Sequence, residues 1–554
     1  MNGSILKQNQ FIGNKSLMID LNNTFNSHVI NGVIEGDYFS HDYTNSTNNS
    51  EWVNGISIDG ESKYSSFENL TIKNITGYGS SNGIADSRDG KLGYTYTSPK
   101  SIGNTFKMGD VSRNTGLDIT STTRTTSDYI DISSYSNIAY LSVSVYLGYQ
   151  GNPCGTWNLI CHFYHENKNF IISIDSYQYR RITVPKNSKY MRVTILNTSY
   201  PTNLSIQYFR VPTHCSFKSI KHENCRCVGM APAAMKDMLI ESCEFINCGQ
   251  SSAKCAFDAE DGWDMMQDCT FKLLNFLNNP YNEFLTCAGH NFILDEFLGG
   301  TIWLYERTRS SVIHNCKNII CSGSLIGIIY NSTLSSIASS SIYKNCIINI
   351  SKSFLGYLSK ISMINCSFIP SDDFKDEYKI SFNKAHLSDC YFENCNFYGK
   401  SSLANHYYFY SAKFLNCFFE NTNICPNVIS NSDDIIYFDN CNINYSNRNL
   451  IYYSPYSYSK STNTNVVFSN CTINNTDSTL NSLIYAEAKP NGYCKFINCA
   501  INIPQNTTIF DGYPSYIEYI TDFNIQFTNC TLPSNINLIG DKFKSNSNIN
   551  ITIV

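Results

Sequence analysis

Phe468-Ser469-Asn470-Cys471-Thr472-Ile473 has close copies at Phe414-Leu415-Asn416-Cys417-Phe418-Phe419, Phe438-Asp439-Asn440-Cys441-Asn442-Ile443, Phe496-Ile497-Asn498-Cys499-Ala500-Ile501 and Phe527-Thr528-Asn529-Cys530-Thr531-Leu532. Successive copies are 24, 30, 28 and 31 residues apart. Self-similarity at such a period marks stacked units, each covering the apolar face of the next. The aromatic and the Cys are three residues apart, which breaks the period of two of a single strand with both side chains inward. The chain must therefore bend between them. Asn tolerates a left-handed corner despite carrying a Cβ, so Asn440 or Asn470 can turn the chain while its neighbours keep facing the core.

Repeated coil after coil, such corners stack their Asn side chains into a hydrogen-bonded ladder, with Phe, Cys and Ile columns inside. The expectation is an all-β parallel β-helix solenoid. With the Cys position as marker, coils fall at Cys215, Cys243, Cys269, Phe292, Cys316, Cys346, Cys366, Cys390, Cys417, Cys441, Cys471, Cys499 and Cys530. Cys243/Cys248 and Cys390/Cys395 leave the register open. Degenerate copies at Phe67-Glu68-Asn69-Leu70-Thr71-Ile72 and Val29-Ile30-Asn31-Gly32-Val33-Ile34 extend the solenoid toward the N-terminus. Neither end carries the polar capping unit that a solenoid needs. The expectation is a fragment of a longer protein or ends covered by partners.

A net charge of -5 and a sequence pI near 6.1 give no nucleic-acid footprint. No run of 18 apolar residues or secretion signal is visible, so no membrane insertion is expected. The 23 Cys fall about one per coil at inward positions, which favours stacked buried thiols over a disulfide framework. Cys225-Arg226-Cys227 has no matching second pair, so no metal site is assigned to it.

Between Leu70 and Cys215 the spacing far exceeds one coil. The expected division is 1–92 as N-terminal coils, 93–212 as an insertion and 213–554 as the main β-helix. Leu141, Val143 and Val145 alternate with polar residues, as do Ile182 and Val184, then Met191, Val193 and Ile195, with a turn at Pro185-Lys186-Asn187-Ser188. This pattern predicts an antiparallel β-sandwich. Tyr129-Ile130-Asp131-Ile132-Ser133 and Arg181-Ile182-Thr183-Val184-Pro185 resemble jelly-roll modules inserted in phage tail proteins, which implies carbohydrate binding; a spacer without ligand is the alternative.

One segment departs from the Asn/Ser-rich background: Cys255-Ala256-Phe257-Asp258-Ala259-Glu260-Asp261-Gly262-Trp263-Asp264. With Cys255, Phe257 and Ala259 inward, alternation sends Ala256, Asp258 and Glu260 to the outer face, and a turn at Gly262 brings Asp261 and Asp264 beside them. Crowded carboxylates raise the pKa of at least one member, as an acid catalyst requires. Counting back from the coil markers aligns Glu260, Glu283 and Arg307, and likewise Asp258, Tyr281 and Tyr305. The expected catalytic set is Asp258, Glu260, Asp261, Asp264 and Glu283. Trp263, Tyr281, His290, Trp303, Tyr305, Arg307 and Arg309 are the expected substrate-binding set, because aromatic faces stack on sugar rings and Arg holds uronate or phosphate. A Glu260/Glu283 pair on adjacent coils favours a retaining glycosidase, and a pair two coils apart an inverting one. Solvated surface or a Ca²⁺ site is the alternative reading of the cluster.

With these residues assembled, the chain resembles the right-handed, pectate-lyase-like β-helix proteins of phage tails. The stretches Asn224-Cys225-Arg226-Cys227-Val228-Gly229-Met230, Asp258 to Asp264, and Leu285-Thr286-Cys287-Ala288-Gly289-His290-Asn291 carry the resemblance. It implies a homotrimeric tailspike or fibre of the virion, made in the bacterial cytoplasm, joined to other tail or baseplate proteins and binding bacterial cell-surface polysaccharide. The leading expectation is depolymerisation by glycoside hydrolysis without a cofactor. A uronate lyase with Ca²⁺ and Arg307 or His290 as base, and a non-catalytic adhesin or structural fibre, are the alternatives.

Overall fold

The computed structural model describes the chain except residues 1, 8–14, 45–51, 61, 83–93, 97–99, 102–105, 134–139, 147–157, 178–180, 197–202, 210, 233–234, 252–253, 260–265, 318, 322–325, 338–339, 351–355, 371–384, 389, 400–405, 410, 427–434, 446–448, 454–461, 476–481, 488–489, 514–519, 521 and 542–547. The described residues are strands, turns and irregular chain, without an α-helix. Two compact units emerge. The first is Met1–Gly300 with Arg307–Arg309, and the second is Thr301–Glu306 with Ser310–Val554.

In the first unit, short parallel strands stack coil upon coil. Ser66–Lys73 pairs with His28–Glu35 on one side and with Ser216–Lys218 and Lys221–Glu223 on the other. The series continues through Leu239–Glu241 and Glu244–Ile246 to Thr270–Lys272 and Asn275–Leu277. Left-handed corners recur five residues apart within a coil: Tyr64, Asn69 and Asn74; His214, Ser219 and Asn224; Asp237, Ser242 and Asn247; Asp268, Leu273 and Asn278. At the third corner the amides form a ladder, with Asn224 Nδ2 donating to Asn74 Oδ1 (3.1 Å) and Asn247 Nδ2 to Asn224 Oδ1 (2.6 Å).

The 145-residue gap is filled by antiparallel sheets. Phe170–Tyr177, Asn158–Tyr164, Tyr190–Ile195, Thr125–Ser127 and Phe106–Met108 form one, with Ile130–Asp131 also on Tyr190–Ile195. Arg181–Thr183, Tyr140–Tyr146, Asn203–Phe209 and Tyr94–Tyr96 form the other, with Lys100–Ser101 also on Asn203–Phe209. Leu159, Cys161 and Phe163 pack with Met191, Val193 and Ile195, and Ile182 of the opposite sheet closes the same core. The β-sandwich pattern read from alternation is the one observed.

The second unit is built on the quoted motif. Phe392, Phe414, Phe438, Phe468, Phe496 and Phe527 form a column with ring centroids 4.8, 4.7, 4.7, 4.9 and 4.8 Å apart and nearly parallel planes. That is the spacing of neighbouring strands. Asn416, Asn440, Asn470, Asn498 and Asn529 all have φ between 51° and 57°. Asn440 donates to Asn416 (2.8 Å), Asn498 to Asn470 (3.3 Å) and Asn529 to Asn498 (3.2 Å), while Asn470 donates to Asp439 (3.0 Å). The cysteines whose side chains are described are free thiols. Cys471 Sγ, for example, donates to the carbonyls of Ser469 (3.2 Å) and Phe438 of the preceding coil (3.6 Å). A second parallel sheet of eight strands, from Gly356–Ser359 to Asn537–Ile539, forms another wall.

The coil markers need correction at three places. Ser216, Leu239, Thr270 and Ile293 are in register, so Cys215 and Cys269 share a column with Met238 and Phe292. Cys243 lies one corner later, with Ile220 and Leu274. In the second unit, Phe392 pairs with Met363 and Phe414, which makes Cys395, not Cys390, the successor of Cys366. A coil at Ser332 was also hidden between Cys316 and Cys346, since Thr333 pairs with Ile347. Cys215 and Cys243 follow different left-handed corners of the coil, so the same local motif marks non-equivalent positions, and the Ser332 coil carries Ser where the motif has Cys.

Candidate active site

The strand Cys255–Ala259 lies between Val228–Pro232 and Asn282–His290 in the first unit. Phe257 stacks on Phe284 at 4.8 Å and meets Phe245 and Phe271 edge-on, all buried. Alternation from Phe257 and Phe284 places Asp258 and Glu283 on the opposite face. That face is more covered at Ala256 and Asp258 than the sequence suggested, and Glu283 is half-buried. Ala256 is buried and Asp258 is only 5% exposed.

Register decides which carboxylates meet. Cys255 pairs with Asn282, Phe257 with Phe284, Asp258 with Leu285 and Ala259 with Thr286. Glu283 therefore neighbours Ala256, and the expected alignment of Glu260 with Glu283 is not made. The markers Cys269 and Phe292 are themselves in register, but Ala259 precedes Cys269 by ten residues and Thr286 precedes Phe292 by six, so an equal count back from the markers misaligns the strands. Glu260, Asp261, Trp263 and Asp264 themselves lie outside the described residues. What the register does create is an Asp258/Glu283 pair on adjacent coils, offset by two residues. Two residues along a strand and one step across it put their Cα atoms about 8 Å apart. Glu283 is half-buried and packs against the next coil at Gly300, whose φ is +79°. A Cβ at Gly300 would come within 2.9 Å of the Glu283 Cβ and Cγ, so glycine there makes room for this carboxylate.

Of the expected substrate-binding residues, Tyr281 is 48% exposed, with the Lys254 ammonium 5.2 Å from its ring centre. His290 is half-buried opposite Gln267, and its carbonyl accepts from the Asp268 N–H at 3.0 Å. The Thr286 and Thr308 hydroxyls meet at 3.0 Å, so Arg307 follows the line of Leu285 and Asp258 and not that of Glu283. In the second unit, Trp303 is half-buried between the buried Ile302 and Leu304. The side chains of Tyr305, Arg307 and Arg309 lie outside the described residues, although their backbone belongs to the strand Ile302–His314. Among the described residues, no group of three or more His, Cys, Asp or Glu side chains is arranged to hold a metal ion.

The inserted sandwich adds a shallow pocket of about 650 Å³ that sequence reading did not single out, lined by His165, Glu166, Asn187 and Lys189 among others. Lys189 Nζ and Glu166 Oε1 are 2.5 Å apart. Beside Lys189, Lys168 lies over the Tyr129 ring at 4.7 Å. The turn residues at 185–188 were legible, but nothing in their spacing indicated that the loop at 165–167 folds beside them.

No protein-family model matches the chain, and no curated protein is similar to it in sequence. Solved structures similar in chain path include a glucanase and two tailspikes. The catalytic domain of a GH87 α-1,3-glucanase in complex with nigerose is 9% identical, with a TM-score of 0.31, over 84% of this chain and 92% of that one. The tailspike protein gp49 of Pseudomonas phage LKA1 is 10% identical, with a TM-score of 0.30, over 99% of this chain and 74% of that one. The tailspike gp61 of Pseudomonas phage phi297 is 10% identical, with a TM-score of 0.29, over 95% and 74%. These scores are low. The fold assignment rests on the strand pairings.

Proposed function

We propose that this protein is a phage-tail glycan hydrolase that binds a bacterial surface polysaccharide and cleaves it at the Asp258/Glu283 face. The observation that carries the reading is the register of Cys255–Ala259 with Asn282–His290, which sets these carboxylates about 8 Å apart at the Cα atoms. Inverting glycosidases hold their two carboxyls about 6.5–9.5 Å apart, leaving room for a water. On this reading, side chains from Cα atoms at that spacing can set their carboxyls at the inverting separation, in place of the retaining geometry expected of Glu260 with Glu283.

In this mechanism Asp258, the more buried of the two, acts as the acid, because burial penalises a carboxylate's charge. Its proton passes to the glycosidic oxygen as the bond to the anomeric carbon breaks. Glu283 takes a proton from water as the water oxygen bonds to that carbon from the other side. The exposed Tyr281 ring offers a stacking surface in the same unit. A homotrimeric virion protein joined to other tail proteins belongs to the same reading, supported by the sequence resemblance.

The test is incubation of the protein with capsule or cell-wall polysaccharide while reducing ends, ultraviolet absorbance and product anomer are followed. New reducing ends of inverted configuration are expected, with Asp258→Asn and Glu283→Gln each lowering kcat at least 100-fold. An ultraviolet-absorbing product would replace hydrolysis by lyase chemistry. Binding without cleavage would leave an adhesin, and full activity in both variants would remove these residues from the mechanism.

A further inference from the structure

The Phe-x-Asn-Cys corner of the second unit is followed by another Asn three residues after the Cys: Cys441-Asn442-Ile443-Asn444, Cys471-Thr472-Ile473-Asn474 and Cys499-Ala500-Ile501-Asn502. The strands carrying them are in register, Asn444 with Asn474 and Asn474 with Asn502. Their side chains form a second ladder, with Asn474 Nδ2 donating to Asn444 Oδ1 and Asn502 Nδ2 to Asn474 Oδ1, both at 2.8 Å. This ladder lines a groove of about 1080 Å³ with apolar surface at Ile503, Pro504 and Leu532.

We infer that this groove is a binding site for an uncharged oligosaccharide. A ladder that uses one donor and one acceptor per amide leaves capacity over, because each Asn side chain carries two N–H donors and two acceptor lone pairs. Among the described residues, the Asn444 amide N–H groups and the Asn502 side-chain oxygen enter no bond. Tyr445, another lining residue, is buried beside Asn475 and forms part of the groove floor.

The groove chooses its ligand by charge. Among the described residues that line it, Glu420 is the one acidic side chain and none is Lys or Arg. A uronate or phosphate chain would meet an acid and no cation. Paired amide donors and acceptors over Pro and Ile surface instead suit sugar hydroxyls and the apolar faces of neutral rings. Lining residues come from five successive coils, Glu420, Asn444, Asn474, Asn502 and Thr531. At the strand spacing they span about 19 Å, enough for several sugar units.

This inference does not need the Asp258/Glu283 chemistry, and the test is arranged to keep the two apart. Purified Asp258→Asn protein, unable to cleave by the proposed mechanism, is applied to an array of bacterial oligosaccharides containing neutral and uronate-bearing members. Its best ligand is then titrated by calorimetry. Binding to neutral members only is expected. Asn502→Trp, a rim substitution at an exposed position, and Asn444→Leu should each weaken it at least 10-fold. Hydrogen exchange of the Phe column verifies that both variants keep the fold. Absence of binding, preference for uronate-bearing members, or unchanged affinity in both correctly folded variants would overturn the site.

Discussion

The two units solve one problem, turning a chain through the same left-handed corner in coil after coil, with different mixtures of residues. At the corner that precedes the central column, the second unit uses Asn416, Asn440, Asn470, Asn498 and Asn529, followed by Cys each time. The corresponding corner of the first unit begins with Asn31 and Asn69 but continues with Ser219, Ser242, Leu273 and Glu296, followed by Ile220, Cys243, Leu274 and Phe297. Its preceding corner carries Tyr64, His214, Asp237 and Asp268. Leu and Tyr are poor choices for positive φ, since a Cβ there costs roughly 1–2 kcal/mol that Asn partly recovers by local hydrogen bonding. The regular unit thus invests its repeat in self-stacking, and the irregular unit spends side-chain identity on other tasks, among them the Asp258 strand.

The largest expected effect is on the regular side. Phe468 is fully buried between Phe438 and Phe496, at 4.7 and 4.9 Å. Phe468→Ala leaves a cavity in a column that cannot close by sliding, because its spacing is fixed by backbone pairing, and should cost about 3–5 kcal/mol. Solenoid stability is a sum of neighbouring terms, so the loss should be confined to nearby coils. Hydrogen exchange should quicken in the strands at 437–439, 467–469 and 495–497 while Ser216–Ile246 keeps its protection. Uniform loosening of both units would contradict the comparison.

Acid should act in the opposite sense, on the irregular side first. His222 is buried in the first unit, its ring stacked on Phe245 at 4.8 Å and Nε2 2.6 Å from Ser80 Oγ. Burial pushes its pKa down to about 3, and that of His162 in the insertion down to about 4. Both are neutral in the fold, whereas below about pH 6.5 the unfolded chain binds a proton at each. Stability is therefore complete above pH 6.5 and falls as pH drops toward the folded values. The slope is roughly 1.4 kcal/mol per pH unit for each group. Denaturant melts followed by hydrogen exchange from pH 7 to pH 4.5 should show the first unit opening before the Phe column. Simultaneous loss, or loss of the column first, would assign the acid sensitivity elsewhere.

Much of the fold was legible because Phe-x-Asn-Cys joins two physical requirements, a residue tolerant of positive φ and apolar neighbours three apart on either side of it. The Asn ladder and the Phe column follow from repetition alone. Register was not legible, because Phe245-Ile246-Asn247-Cys248 and Phe414-Leu415-Asn416-Cys417 are the same local signal at different corners of the coil. A local motif reports a bend and not which bend. The candidate site was misaligned for another reason, the unequal chain lengths between strand and marker in adjacent coils: Asp258 and Glu283 were singled out for their chemistry, but their pairing could be named only once Asp258 was seen opposite Leu285. The Cys-x-Ile-Asn ladder was readable from the same repeats and was passed over because Asn is common throughout the chain.

The smallest expected effect sharpens the comparison most directly by exchanging residue types between the units. Leu273 is half-buried with φ of 53°, and its N–H donates to the Asp295 carbonyl at 3.0 Å. Leu273→Asn keeps that backbone bond and relieves the left-handed strain, but gives up part of a half-buried apolar side chain. Ser242 and Glu296, at the same corner of the adjacent coils, supply no amide with which a ladder could continue. The net gain should therefore be modest, roughly 0.5–1 kcal/mol, below the sum of strain relief and a ladder bond. Adding Ser242→Asn supplies a neighbouring amide, so the double variant should exceed the sum of the two single changes by a few tenths of a kcal/mol. A double-mutant cycle in denaturant measures that excess. Strict additivity would mean that Asn is favoured in the second unit for its backbone preference alone, whereas a positive coupling would show that the ladder itself holds neighbouring coils together.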